Sequence, residues 1–219
     1  MTRSRQDLQS LTESAMALAV CTVNWWVFTF VPGAGRYFKY MCAGVIAGVG
    51  VRCGVRWSLG VVIGLNTFIG LILGPRELLN CLFLVTPMGL LLPTHPRVDQ
   101  LGTGAYPNKL HMSQSLVRWW GKTLLIYGLS FVVQIWLRAA LMHVKVAEVA
   151  KSVMLASYHV HARSWEAMGI CVDDFVAAAT EWIWAGLSVV GMGYGLFFYL
   201  VNRPICHGYL LLQKRVDLD

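Results

Sequence analysis

Few side chains of this 219-residue chain are grouped in a way that chemistry could use. His159 and His161 stand two positions apart. On a helix that spacing turns them about 200° from each other, whereas a shared metal needs partners on one face at i and i+4. They are expected to be interfacial polar residues, not metal ligands. Asp173 and Asp174 are a pair able to share a metal or a proton, yet adjacent carboxylates also suit the positive end of a helix, and they are expected to cap a last long helix. Cys21, Cys42, Cys53, Cys81, Cys171 and Cys206 form no C-x-x-C pair and lie mostly in apolar stretches, as small apolar residues do. Serine and histidine form no nucleophile-elbow pattern. The glycine-rich GVIAGVGVRCG lacks the strand, turn and lysine of a phosphate loop, and small residues of a membrane helix explain it better.

More suggestive are polar groups inside apolar stretches: Asn24, Asn66, Thr67, Asn80, Thr86 and Gln134. In lipid each is costly unless it faces another helix or a cavity. They would line a solute site or form interhelical hydrogen bonds worth about 0.6 kcal/mol each. Trp25, Trp26, Trp57, Trp119, Trp120, Trp182 and Trp184 lie near the ends of apolar stretches and are expected to be interface anchors. Trp25 and Trp26, beside a Pro-Gly loop, are also placed to stack on an apolar ligand.

The elements that must position these residues are read from the apolar runs. From Gly54 to Pro75, GVRWSLGVVIGLNTFIGLILGP, the chain carries no ionisable residue between Arg56 and Arg76, a length able to cross a hydrocarbon core of roughly 30 Å. Charge-free runs recur at Ala15–Val31, Tyr40–Val51, Leu78–Leu92, Thr123–Leu137 and Trp182–Asn202. Composition agrees: 57% of residues are hydrophobic, 13% are charged, and the mean hydropathy is +0.57, values of a polytopic membrane protein. The expected fold is a single all-α membrane domain over 1–219, a bundle of about six transmembrane helices at 14–31, 40–53, 57–74, 76–92, 122–143 and 181–202, with an interfacial amphipathic helix at 144–167. The net charge of +7 sits in short connections, where it encodes topology, and nucleic acid is not an expected partner. Counting six spans places eleven of the 18 Lys and Arg on the side of the amino terminus, which predicts both termini inside.

Local signals set the boundaries. Ser10 and Glu13 form a capping box that predicts a helix start near Leu11, after a short polar tail. Pro32 should end that helix, and the loop VPGAGRYFKY has the glycines, basic residues and aromatics of a turn at headgroup level. Gly44, Gly48 and Gly50 give the short second span a small face for close helix contact. Gly74-Pro75 should form a tight turn, with Glu77 near the positive end of the next helix. Pro204 is expected to kink the last helix or divide it into a span and a surface tail. The amino end MTRSRQDLQS lacks the apolar core and cleavage site of a secretory signal.

Taken in order, LTESAMALAV, VPGAGR, VRCGVRW and LILGPRELLNCLFLVTPMGLLL resemble the YybS-like family of predicted multi-pass membrane proteins of bacteria, cyanobacteria and plastids, itself similar to the S components of energy-coupling factor (ECF) transporters. Residues 11–92 carry the resemblance, through Glu13, Pro32, Arg36, Arg52, Gly54, Gly74, Pro75, Arg76, Pro87 and Gly89. It implies a multi-pass protein of a plastid membrane or a bacterial plasma membrane that captures a micronutrient and hydrolyses nothing, with a transmembrane coupling subunit and ATPases as partners and no cofactor of its own. In that scheme a small-residue face on the first helix meets the coupling subunit, and Ala15 and Ala19 have the A-x-x-x-A spacing for it, a spacing that equally suits packing within the bundle itself. A ligand would lie beneath the first loop, where Asn24, Trp25, Arg36, Tyr37 and Asn66 are expected to converge. Arg36 suggests an anionic or amphipathic solute, or alternatively a headgroup anchor. The second reading is a structural or assembly subunit of a membrane complex. An enzyme is disfavoured, because it needs two or more convergent ionisable groups within the spans, which are expected to hold none.

Overall fold

Inward-facing residues of the first helix recur as Ser14, Ala17, Cys21 and Trp25, all buried, at the three- and four-residue steps of one helical face. That helix, α1, spans Thr2–Phe30 in the computed structural model, which describes residues 2–31, 38–95, 109–160 and 183–216 with scattered positions between 162 and 182. Beyond the first loop a 3₁₀ turn, Lys39–Met41, leads into α2, Cys42–Cys53. Then follow α3, Val55–Ile72, α4, Pro75–Thr94, α5, Lys109–Met142, α6, Val146–Val160, and α7, Ile183–Val216. No strand occurs among the described residues.

Among the described residues, five helices (Gln6–Phe30 of α1, Val55–Ile72, Pro75–Thr94, Ser115–Met142 and Trp184–Leu211) are long and apolar enough to cross a membrane. In each, only 22–44% of the most apolar 18-residue window is buried inside the bundle. Much of the rest, including Met16, Val23, Ile63, Leu71, Val117, Leu129, Val189 and Leu200, is exposed. A surface of that kind needs lipid around it, and it marks a membrane protein.

The expected second span is different. α2 has 12 residues, about 18 Å of helix against a hydrocarbon core of roughly 30 Å. It still passes back through the bundle. Its beginning lies beside Cys21 of α1, and its last residue, Cys53, reaches Glu13. Such a short helix exposes the orphan N–H groups of its first turn to a dry interior. One is met from across the bundle: the Gly44 N–H donates to Oδ1 of Asn202, a fully buried residue of α7, at 2.7 Å. With α2 counted, the described residues traverse the bundle six times. The end of α7 descends beside α2, with Tyr209 against Gly48, toward the end where α1 begins. The start of α1 at Thr2 and the end of α7 at Val216 therefore share one end, the near end, while Phe30 and Lys39 lie toward the far end.

Single glycines make the tight turns. Gly54 joins α2 to α3 at φ 93°, and Gly74 joins α3 to α4 at φ 85°, backbone that other residues rarely adopt. In α4 a widened π turn at Cys81–Val85 precedes Pro87, whose ring cannot continue an ordinary α-helical ladder. Side chains of α5 satisfy carbonyls along this helix: Tyr127 Oη donates to Leu84 O at 2.6 Å and Trp119 Nε1 to Leu91 O at 3.0 Å. Helices α5 and α7 meet where Gly191 lies against Tyr127, Gly128 and Phe131.

Other expectations are corrected. Ser10 starts no helix, because α1 already runs from Thr2, and Glu13 serves Arg52 and Cys53 instead of a cap. Asp173 and Asp174 are exposed and stand well before Ile183, the first residue of α7, so they do not cap it. Pro204 does not divide α7, which is continuous from Ile183 to Val216. Within the expected interfacial helix, the described part is α6, which packs Val146, Val149 and Val153 on the core.

Candidate functional site

At the far end, the 3₁₀ turn points Lys39 inward, where its side chain is buried. Glu77, in the first turn of α4, receives it: Lys39 Nζ stands 2.5 Å from Glu77 Oε2. Trp25 Nε1 of α1 donates to the same oxygen at 3.2 Å. The ammonium also lies 5.3 Å from the centroid of the Trp25 ring and 5.5 Å from that of Tyr40, within cation–π range. One turn along α4, Asn80 Nδ2 donates to Glu77 Oε1 at 3.4 Å. The Asn80 carbonyl oxygen then accepts from Gln134 Nε2 at 3.0 Å and Arg138 Nη2 at 2.5 Å, both on α5. A connected chain of charged and polar groups thus crosses α1, the 3₁₀ turn, α4 and α5. The expectation of no convergent ionisable group within the spans is overturned, since Glu77 and Arg138 both belong to spanning helices. The spacing hid this because Lys39, Arg76 and Arg138 flank the apolar runs and read as topology signals.

Of the residues expected to hold a ligand, Trp25 belongs to this cluster and is fully buried. It is no interface anchor, whereas Trp26 is exposed. Asn24 lies beside the cluster and ties the incoming turn to α1, its Nδ2 donating to Phe38 O at 3.0 Å and to Cys42 Sγ at 3.3 Å. Asn66 is elsewhere: its Nδ2 donates to Val62 O and to Thr86 Oγ1 of α4 at 3.1 Å, a helix-to-helix bond of the bland kind. Arg36 and Tyr37 lie outside the described residues. Ala15 and Ala19 face outward, on the exposed side of α1, so they do not pack within this bundle.

Two further clusters lie at the near end. Glu13 accepts from Arg52 Nε at 3.0 Å and from the Cys53 thiol at 3.2 Å, inside a groove of about 590 Å³ lined by Gln6, Asp7, Gln9, Ser10, Glu13, Arg52, Cys53 and Trp57. A thiol that donates to a carboxylate is held in its protonated form, so Cys53 is a hydrogen donor here and not a nucleophile. Beside this end, the buried His95 ring packs edge-on to Trp119 at 4.6 Å, and its Nε2 lies 3.1 Å from Tyr199 Oη. Neither cluster was legible from spacing, because each joins distant segments.

Among the described residues no group of three or more His, Cys, Asp or Glu side chains could hold a metal. What the far-end cluster can do is bind. Its carboxylate already accepts three hydrogen bonds, a poor state for a general base, while its guanidinium keeps donors in reserve. No protein-family model, no curated protein and no solved structure matches the chain significantly.

Proposed function

We propose that this protein is a non-catalytic membrane subunit that captures a solute at the far end of its helix bundle, in the manner of an ECF S component. The observation that carries this reading is the convergence of Lys39, Glu77 and Arg138 inside a bundle of spanning helices. Burying such groups is expensive, and a core needing only packing would use apolar residues there. Such a set offers a polar seat that a solute entering from the far side meets first. The outward Ala15 and Ala19 then supply a close-approach face for a coupling subunit.

Purification in mild detergent, followed by mass spectrometry of everything released on denaturation, tests this directly. A small molecule at near-stoichiometric amount is expected. Recovery of integral membrane partners with no small molecule would favour the second reading, a structural or assembly subunit, which the same outward Ala15–Ala19 face suits equally.

A further inference from the structure

Among the described residues of this cluster, Lys39, Arg76 and Arg138 outnumber the single carboxylate, Glu77. Glu77 is committed to Lys39, as its ion-pair partner at 2.5 Å. Arg138 has no carboxylate partner among the described residues: its Nη2 donates to the neutral Asn80 oxygen, and its Nε is buried with no hydrogen-bond partner at all. Arg76, exposed in the first turn of α4, lies four residues before Asn80 and so on the same helix face, the face that Arg138 reaches through its bond to Asn80. Arg138, partly buried with an unsatisfied donor and with the exposed Arg76 on the face it approaches, leaves positive charge that a bound anion cancels.

We infer that Arg138 and Arg76 form an anion seat for a phosphate group, carried either by a soluble metabolite or by an anionic lipid headgroup. This rests on the far-end cluster being the capture site, and it specifies the charge of what is captured. Guanidinium suits a phosphate, because its planar fork can give two parallel hydrogen bonds to adjacent oxygens of one group. Asn80 and Gln134 hold the fork from behind. The Asn80 oxygen accepts from both Gln134 and Arg138, which fixes the guanidinium plane.

The test is thermal unfolding of the delipidated protein in a neutral detergent, with three additions at matched ionic strength: sodium chloride, inorganic phosphate, and a short-chain phosphatidylglycerol. Wild type is expected to be stabilised beyond the chloride control by phosphate, by the lipid, or by both. A phosphate response identifies a soluble source, and a lipid response alone identifies a headgroup. Arg138→Gln should weaken the apparent affinity by on the order of tenfold or more, the loss of a charge-assisted contact, while Arg138→Lys retains part of it. If Arg138→Gln does not fold, Arg76→Gln decides, because that side chain is exposed: a weakened response supports the seat and an unchanged one overturns it. Equal stabilisation by all three additions, or a full response in Arg138→Gln, also overturns it. A neutral or cationic small molecule released from wild type, together with no anion response, would sink the anion seat yet leave the capture reading standing.

Discussion

A single asparagine shows how much of this bundle depends on one side chain. Asn202 is fully buried and supplies the acceptor for the Gly44 N–H in the first turn of α2, a donor that lipid or packed hydrocarbon would leave unsatisfied. Asn202→Leu keeps the volume and removes the acceptor, so it should destabilise by about 1–3 kcal/mol, read as a lowered midpoint of thermal unfolding in detergent. Thr67→Leu, at an exposed position of α3, should move the midpoint little, within about 0.5 kcal/mol. Comparable losses in both would contradict the capping role. The sequence made Asn24, Asn80 and Gln134 visible as polar residues in apolar runs, and two of them do pair, Gln134 donating to Asn80. Lys39, Glu77 and Arg138 escaped because a charge at the edge of an apolar run looks the same whether it faces headgroups or turns inward. Only the 3₁₀ turn after the first loop, which no local pattern announces, sends Lys39 into the core.

Contacts between elements are governed by where glycine permits two backbones to touch. A Cβ on Gly191 would stand 2.7 Å from Tyr127 O and 3.1 Å from Gly128 Cα, both backbone atoms of α5, whereas one on Gly193 would meet nothing within 4 Å. Two substitutions two residues apart on α7 should therefore have opposite signs. Gly191→Ala is expected to cost about 1–3 kcal/mol by forcing α5 and α7 apart. Gly193→Ala should stabilise by about 0.5–1 kcal/mol, since alanine loses less backbone freedom in a helix. Thermal unfolding of the pair checks this, and equal effects would mean that the α5–α7 contact is not where it is described. At this scale the sequence was largely readable. Long apolar runs located the five spanning helices, and Gly74-Pro75 marked a true turn. The run Tyr40–Val51 was apolar enough for a span, but its length of helix and its Asn202 cap are properties of the assembled bundle. The Ser10–Glu13 pattern misled because Glu13 has tertiary partners, Arg52 and Cys53, that outweigh a local cap.

For the molecule as a whole, six passes by the described residues bring the start of α1 and the end of α7 to one end and place the Lys39–Glu77–Arg138 cluster at the other, where α1, the 3₁₀ turn, α4 and α5 meet. A buried ion pair such as Lys39–Glu77 is weak evidence of stability, because apolar residues of similar volume are often as good or better. That fact separates a capture site from a structural bolt. Replacing both members at once, Lys39→Met with Glu77→Met, removes the pair without stranding either charge. The most direct measurement is the amount of small molecule released from this double variant relative to wild type, alongside its unfolding midpoint. The capture account predicts a variant that folds with a midpoint near that of wild type and releases no solute, whereas a well-folded variant that still releases the wild-type amount would contradict it.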